Sequence, residues 1–145
     1  MKISKNKFLG MLVFLLISSI SISGQYKDAL ISRMSDFRNS VFANVDEGND
    51  FQEKEALRKM EKEWDKELNI VYQKIMKVAD AVTKNKLRNA QRAWIKFRDS
   101  EIENSYYTNN PNGGSMGILF SLNTAAKLTE ERAVQLAEMY DALDK

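Results

Sequence analysis

The stretch LRKMEKEWDKELNIVYQKIMKVADAV, residues 57–82, decides the fold. Within it Leu57, Met60, Trp64, Leu68, Val71, Ile75, Val78 and Val82 follow one another at steps of three and four, which places them on one stripe of an α-helix. A stripe sustained this long reads as a coiled-coil-like seam. It is expected to close inside its own monomer, against the helix that follows, because that helix offers a matching apolar face. A break is expected among Asp80 to Asn85, where Asp80 or Thr83 can cap the next helix. Without it the two helices would fuse into one rod.

Downstream, the third helix should bury Leu87, Ala90, Trp94, Phe97 and Ser105, with Gln91 and Arg98 within about 60° of Trp94 on the helical wheel and Arg92 and Asp99 pointing elsewhere. Residues Thr108 to Ser115 hold the only proline, Pro111, and the adjacent Gly113 and Gly114, so they form a loop. Ser115 can cap a fourth helix through Ile118, Leu119, Leu122 and Ala126. A last helix is expected from Thr129, with Glu130 and Glu131 in its first turn and Leu136, Tyr140 and Leu143 on its buried face. Upstream, Leu30, Met34, Phe37, Val41 and Val45 recur at helical steps, and Asp46 to Asp50 then break the pattern. Asp50 and Glu53 have capping-box spacing, so a helix should restart at Phe51. No strand pattern or repeat competes. The fold class is all-α, with four to five helices in a single bundle-like domain.

Ahead of that domain, Lys2, Lys5 and Lys7 precede an apolar run from Phe8 to Ile22, with small residues at Ser21, Ser23 and Gly24. Residues 1–24 therefore read as a secretory signal peptide cleaved after Gly24 or Ser23, leaving 25–145 as the domain, periplasmic or secreted and without a stable membrane anchor. A retained anchor is the competing reading, for which the run is slightly short of the about 20 residues that span a bilayer.

Cleavage removes three of the 22 basic residues and none of the 20 acidic ones, so the mature chain is near neutral. Nucleic-acid binding, which needs a basic surplus or stripe, is not expected. The chain has no cysteine and no histidine. It therefore lacks the usual parts of a nucleophilic triad and of a zinc site, and its scattered carboxylates offer no poised acid and base. It is expected to be neither an enzyme nor a carrier of metal or cofactor.

Two groups of residues are candidates for function. Asp65, Asn69 and Tyr72 lie at steps of four and three on the second helix, and Gln91 and Arg98 lie seven apart on the third, so an antiparallel pairing would bring the polar rows together. A partly buried Arg98 needs a carboxylate, with Asp65 the first choice and Asp99 or Glu101 the local alternatives; stranding its partner would cost about 3–5 kcal/mol. This cluster, together with Arg92, Trp94 and Asp99, is read as structural more than as a contact, and Trp64 and Trp94 as core. The second group is Tyr106, Tyr107, Asn109, Asn110, Asn112, Gly113, Gly114 and Ser115, an aromatic pair beside a polar tip. That composition suits entry into a partner's cleft, and equally a plain interhelical connection.

Asp65, Leu68-Asn69 and Tyr72, then Leu87-Arg88, Ala90-Gln91-Arg92, Trp94 and Phe97-Arg98-Asp99, with Gly113-Gly114-Ser115, Leu128-Thr129 and Arg132, form an ordered set. In it the chain resembles the LprI-like group of bacterial lysozyme-inhibitor domains, over about residues 55 to 142. The resemblance implies an exported envelope protein that binds lysozyme and inhibits it by occluding its cleft. Its partner would be lysozyme or another envelope protein, and the oligomeric state is left open. The alternatives are an envelope interaction or scaffold module without lysozyme affinity, or a glycan binder, for which exposed aromatics would discriminate. The group usually carries cysteines near three helix ends. Here position 102 is Ile102 and the expected partner near Thr124 is absent, so both ends of one bridge are gone together and apolar packing is expected in its place. A lost disulfide typically forfeits about 2–5 kcal/mol.

Overall fold

A computed structural model describes residues 24–108 and 114–144. Four helices follow in order: α1 (Gln25–Phe42), α2 (Asp50–Val78), α3 (Ala81–Thr108) and α4 (Ser115–Leu143). The signal-peptide reading of residues 1–24 lies outside the described residues apart from Gly24. No helix among the described residues is long and apolar enough to cross a membrane.

The predicted break between the second and third helices is present. Ala79 is extended, with ψ 154°, and the Asp80 carboxylate accepts the Thr83 N–H at 2.6 Å, satisfying a free amide of the first turn of α3. The start of α2 differs from the Asp50/Glu53 capping box. Asn49 is the cap, accepting the Gln52 N–H at 3.2 Å, while Asp50 and Glu53 occupy the first turn, where their charge suits the helix dipole. Gln52 also closes the preceding loop, its amide donating to Asp46 Oδ2 at 3.1 Å and its carbonyl oxygen accepting the Asp46 N–H at 2.7 Å.

The expected fourth and fifth helices are one continuous helix. Thr129 does not start a new one; it is wholly buried mid-helix, and its hydroxyl donates to the Ala125 carbonyl at 2.8 Å, a local bond that lets the helix run on. Ser115 does not cap α4 either. Gly114 takes the cap position with no side-chain bond, while the Ser115 hydroxyl donates to Asp50 Oδ2 at 3.2 Å and meets Lys54 Nζ, tying the start of α4 to the start of α2.

That tie sets the directions. With their N-termini together, α2 and α4 run parallel, and Tyr26 at the start of α1 lies against Tyr140 near the end of α4, so α1 runs against both. α4 lies against all three other helices, and its contact with α2 is the most extensive. This overturns the expectation that α2 packs on α3. The α2 stripe Leu57, Met60, Trp64, Leu68, Val71 and Ile75 is buried as predicted, but α4 supplies its main partner surface with Ala126, Ala133, Leu136 and Ala137. Such small side chains let two helices lie close. Leu30 and Met34 of α1 and Leu87 of α3 complete the core. Beyond Ile75 the stripe ends, and Val78 and Val82 are exposed.

α3 is the least buried helix: only Leu87 and Gln91 are fully covered. The expected burial of Ala90, Phe97 and Ser105 is not met; Ala90 is exposed, Phe97 is 52% exposed and Ser105 half-buried, while Trp94 is half-buried. The buried face of α3 is centred on Gln91 rather than on Trp94, and Phe97 stands about 120° from Gln91 on the wheel.

Candidate functional site

Because α3 leans on α4, an open groove of about 440 Å³ is left between α2 and α3. Its α2 wall is Asp65, Leu68, Asn69 and Tyr72; its α3 wall is Arg88, Gln91, Arg92, Trp94, Ile95 and Arg98. The two polar rows read from the sequence therefore face each other. They border a space rather than bonding across it.

The expected Arg98–Asp65 pair is not formed. Arg98 donates from Nε and Nη2 to Asp99 Oδ1, at 3.0 and 2.8 Å, and stacks over the Trp94 ring at 5.1 Å; Asp99 itself is 58% exposed. The local alternative wins because the long Arg98 side chain can bend back to the carboxylate of its chain neighbour Asp99, whereas the groove separates Arg98 from α2. Asp65 accepts instead from Asn69 one turn on, at 3.1 Å, and the same Asn69 amide donates to the Asp65 carbonyl at 2.8 Å. Burial, then the nearby Asp65 carboxylate, raises the pKa of the neighbouring Glu61 above the ordinary carboxylate value, with Arg98 opposing.

Gln91 is the buried anchor of the groove. Its Oε1 accepts Arg132 Nε of α4 at 2.6 Å, and Arg132 also donates to Gln135 Oε1 at 3.1 Å. Burial lowers the Arg132 pKa, and among the described residues its partners are neutral amides and no carboxylate. Arg88 and Arg92, both exposed, form no ion pair among the described residues.

The second candidate region lies at the far end of α3. Tyr106 and Tyr107 pack edge to face with ring centroids 5.0 Å apart, Tyr107 is 59% exposed, and the Gly114 N–H donates to the Tyr106 hydroxyl at 3.1 Å across the loop. Asn109, Asn110, Asn112 and Gly113 lie outside the described residues. Ser115 fixes the other root through Asp50 and Lys54.

Sequence reading missed two features. Gly117 lets α4 abut the end of α3: a methyl group there would stand 2.9 Å from Tyr106 Cε2 and 3.0 Å from the Tyr106 carbonyl oxygen. The only sequence signal was a glycine two places into a helix. The other is the most enclosed ion pair, Arg33 with Glu67, with Nε to Oε1 at 2.8 Å and Nη2 to Oε2 at 2.6 Å and Glu67 only 8% exposed. Glu67 precedes the core Leu68 on the stripe, and a charge there signalled a partner from another helix.

No curated protein and no solved structure matches the chain. The family model described as Lysozyme inhibitor LprI matches residues 43–136. That span runs from the link before α2, through both walls of the groove and the tyrosine-flanked loop, to Leu136 in α4, and on it the chain belongs to the LprI lysozyme-inhibitor family.

Proposed function

We propose that the protein, exported and freed of residues 1–24, binds lysozyme and blocks its cleft with the α3–α4 connection, Tyr106 to Ser115. The reading draws its activity from the family and its surface from one observation: Tyr107 is solvent-exposed at the root of that connection and is backed by Tyr106, whose hydroxyl receives the Gly114 N–H. A rigid aromatic beside a polar tip is the composition of an interface anchor. The inhibitor needs no catalytic group of its own. Covering the cleft suffices, because the enzyme's carboxylates must reach the sugar chain to act.

The test is titration of the purified mature protein against c-type and g-type lysozymes on cell-wall substrate. Inhibition of at least one class is expected. Tyr107→Ala should weaken it by about tenfold or more, as loss of an anchor does, with an unchanged unfolding midpoint because Tyr107 is exposed. Removing Asn109 to Asn112 should act likewise, since loops tolerate shortening. Unaltered inhibition by both variants would move the contact to the helices. Absence of inhibition of any lysozyme by the folded protein would leave an envelope interaction module.

A further inference from the structure

We infer that the α2–α3 groove is a second binding site, for a saccharide carrying one carboxylate. It is separate from the loop and stands whether or not the loop binds lysozyme. Its volume of about 440 Å³ falls within the about 300–1,000 Å³ of small-ligand sites and suits one or two sugar rings.

The charge of the groove selects the ligand. Arg98 is already answered by Asp99. Of the other charged side chains lining it, Arg88 and Arg92 are one turn apart on one wall, without ion pairs among the described residues, and Asp65 stands on the other. The unanswered charge is thus one positive unit, held as two guanidinium forks that match a carboxylate bidentately. A phosphomonoester, at about −1.5 to −2, would exceed it and face Asp65. On the same wall Gln91 is fixed from behind by Arg132 through Oε1, so its Nε2 hydrogens, without an acceptor among the described residues, are left for the ligand.

The opposite wall suits the rest of a sugar. Asp65 and Asn69 are locked together by their own hydrogen bonds, and Tyr72 is half-buried beside them; these groups accept from and donate to hydroxyl or acetamido groups. Trp94, braced by Arg98, adds an aromatic ring to the α3 side. Exposed arginines alone would be ordinary solvated cations. Here they border a built groove whose buried amide is fixed by Arg132 of α4.

The chain's two tryptophans make the test direct. Trp94 lines the groove, whereas Trp64 is 3% exposed in the core and serves as an internal reference. The indole N–H signals of the ¹⁵N-labelled mature protein would be followed while adding N-acetylglucosaminyl-N-acetylmuramic acid, the singly acidic disaccharide glucuronosyl-N-acetylglucosamine or the uncharged di-N-acetylchitobiose. A saturable shift of the Trp94 signal alone is expected with at least one carboxylated sugar, and which one responds locates the carboxylate on the ring. Chitobiose should bind at least about tenfold more weakly, as should either acid to the Arg88→Gln/Arg92→Gln double variant, whose exposed substitutions leave the unfolding midpoint in place. Asn69→Ala, on the other wall, should weaken binding several-fold. No saturable shift with either acid, equal binding of chitobiose, or undiminished binding by the double variant would each overturn the proposal.

Discussion

Arg33 and Arg98 show how little a residue's charge says until its partner's burial is known. Arg33 grips Glu67 with two hydrogen bonds, and Glu67 is 8% exposed, so Arg33→Ala strands a carboxylate in the interior. Arg33 is itself 42% exposed, which moderates the loss, and a destabilisation of about 2–3 kcal/mol is expected in denaturant unfolding. Arg98 pairs with a solvent-exposed neighbour, so Arg98→Ala should cost only about 0–1 kcal/mol. A midpoint shift for Arg98→Ala as large as that for Arg33→Ala would reverse this ordering. Glu61 gives a pH-dependent case. Burial raises its folded-state pKa, so the folded protein holds the Glu61 proton more tightly than the unfolded chain does. The stabilising contribution of that proton is present at acid pH and disappears as pH rises through the raised pKa. Glu61→Gln should therefore be more stable than wild type at neutral pH, with the advantage shrinking on acidification, as read from midpoints across a pH series. An advantage that grew on acidification would contradict it.

Among the elements, α2 was legible because its large apolar residues keep step with the helix for six turns, and the α2–α3 break because Asp80 sits where a cap is needed. The partner of α2 was not. Two amphipathic stripes show that each needs cover but not which covers which, and the stripe of α4 is written largely in alanine, glycine and threonine, which carry little hydropathic signal yet permit the closest contact. The same small residues hid the continuity of α4, since Thr129 reads as a cap until its burial is seen. The polar rows of the site were legible as rows, and the space between them was not, because it follows from α3 leaning on α4. Gly117 belongs to this scale as well. Gly117→Ala gains about 1 kcal/mol of helix propensity but forces a methyl against a ring carbon and a backbone oxygen of Tyr106, an overpacking of about 1–3 kcal/mol. The carbonyl cannot swing away as a flexible side chain would, so a net loss of about 1 kcal/mol is expected, together with weaker lysozyme inhibition through a displaced Tyr106. A stabilised variant with full inhibition would show that the helix ends have room to part.

At the scale of the whole molecule, charge is nearly balanced: without Lys2, Lys5 and Lys7 the acidic residues outnumber the basic by one. Long-range attraction to a basic lysozyme is therefore small, and inhibition should fall only modestly as salt is raised toward a Debye length of about 8 Å. A steep decline, measured in the same cell-wall assay, would place a local acidic patch at the interface. The bundle is also closed end to end. The Asp141 carboxylate near the close of α4 accepts the Tyr26 and Lys27 N–H groups at the opening of α1, both at 2.9 Å, while Lys74 lies over the Tyr26 and Tyr140 rings at 5.1 and 5.2 Å. A polypeptide threaded outward beginning with its amino end delivers α1 first and Asp141 almost last. If the chain is exported as proposed, the first helix to arrive waits, its leading amides unclaimed, until nearly all of the chain has crossed; a version stopped after Tyr140 should show those amides exchanging with solvent while the α2–α4 core stays protected.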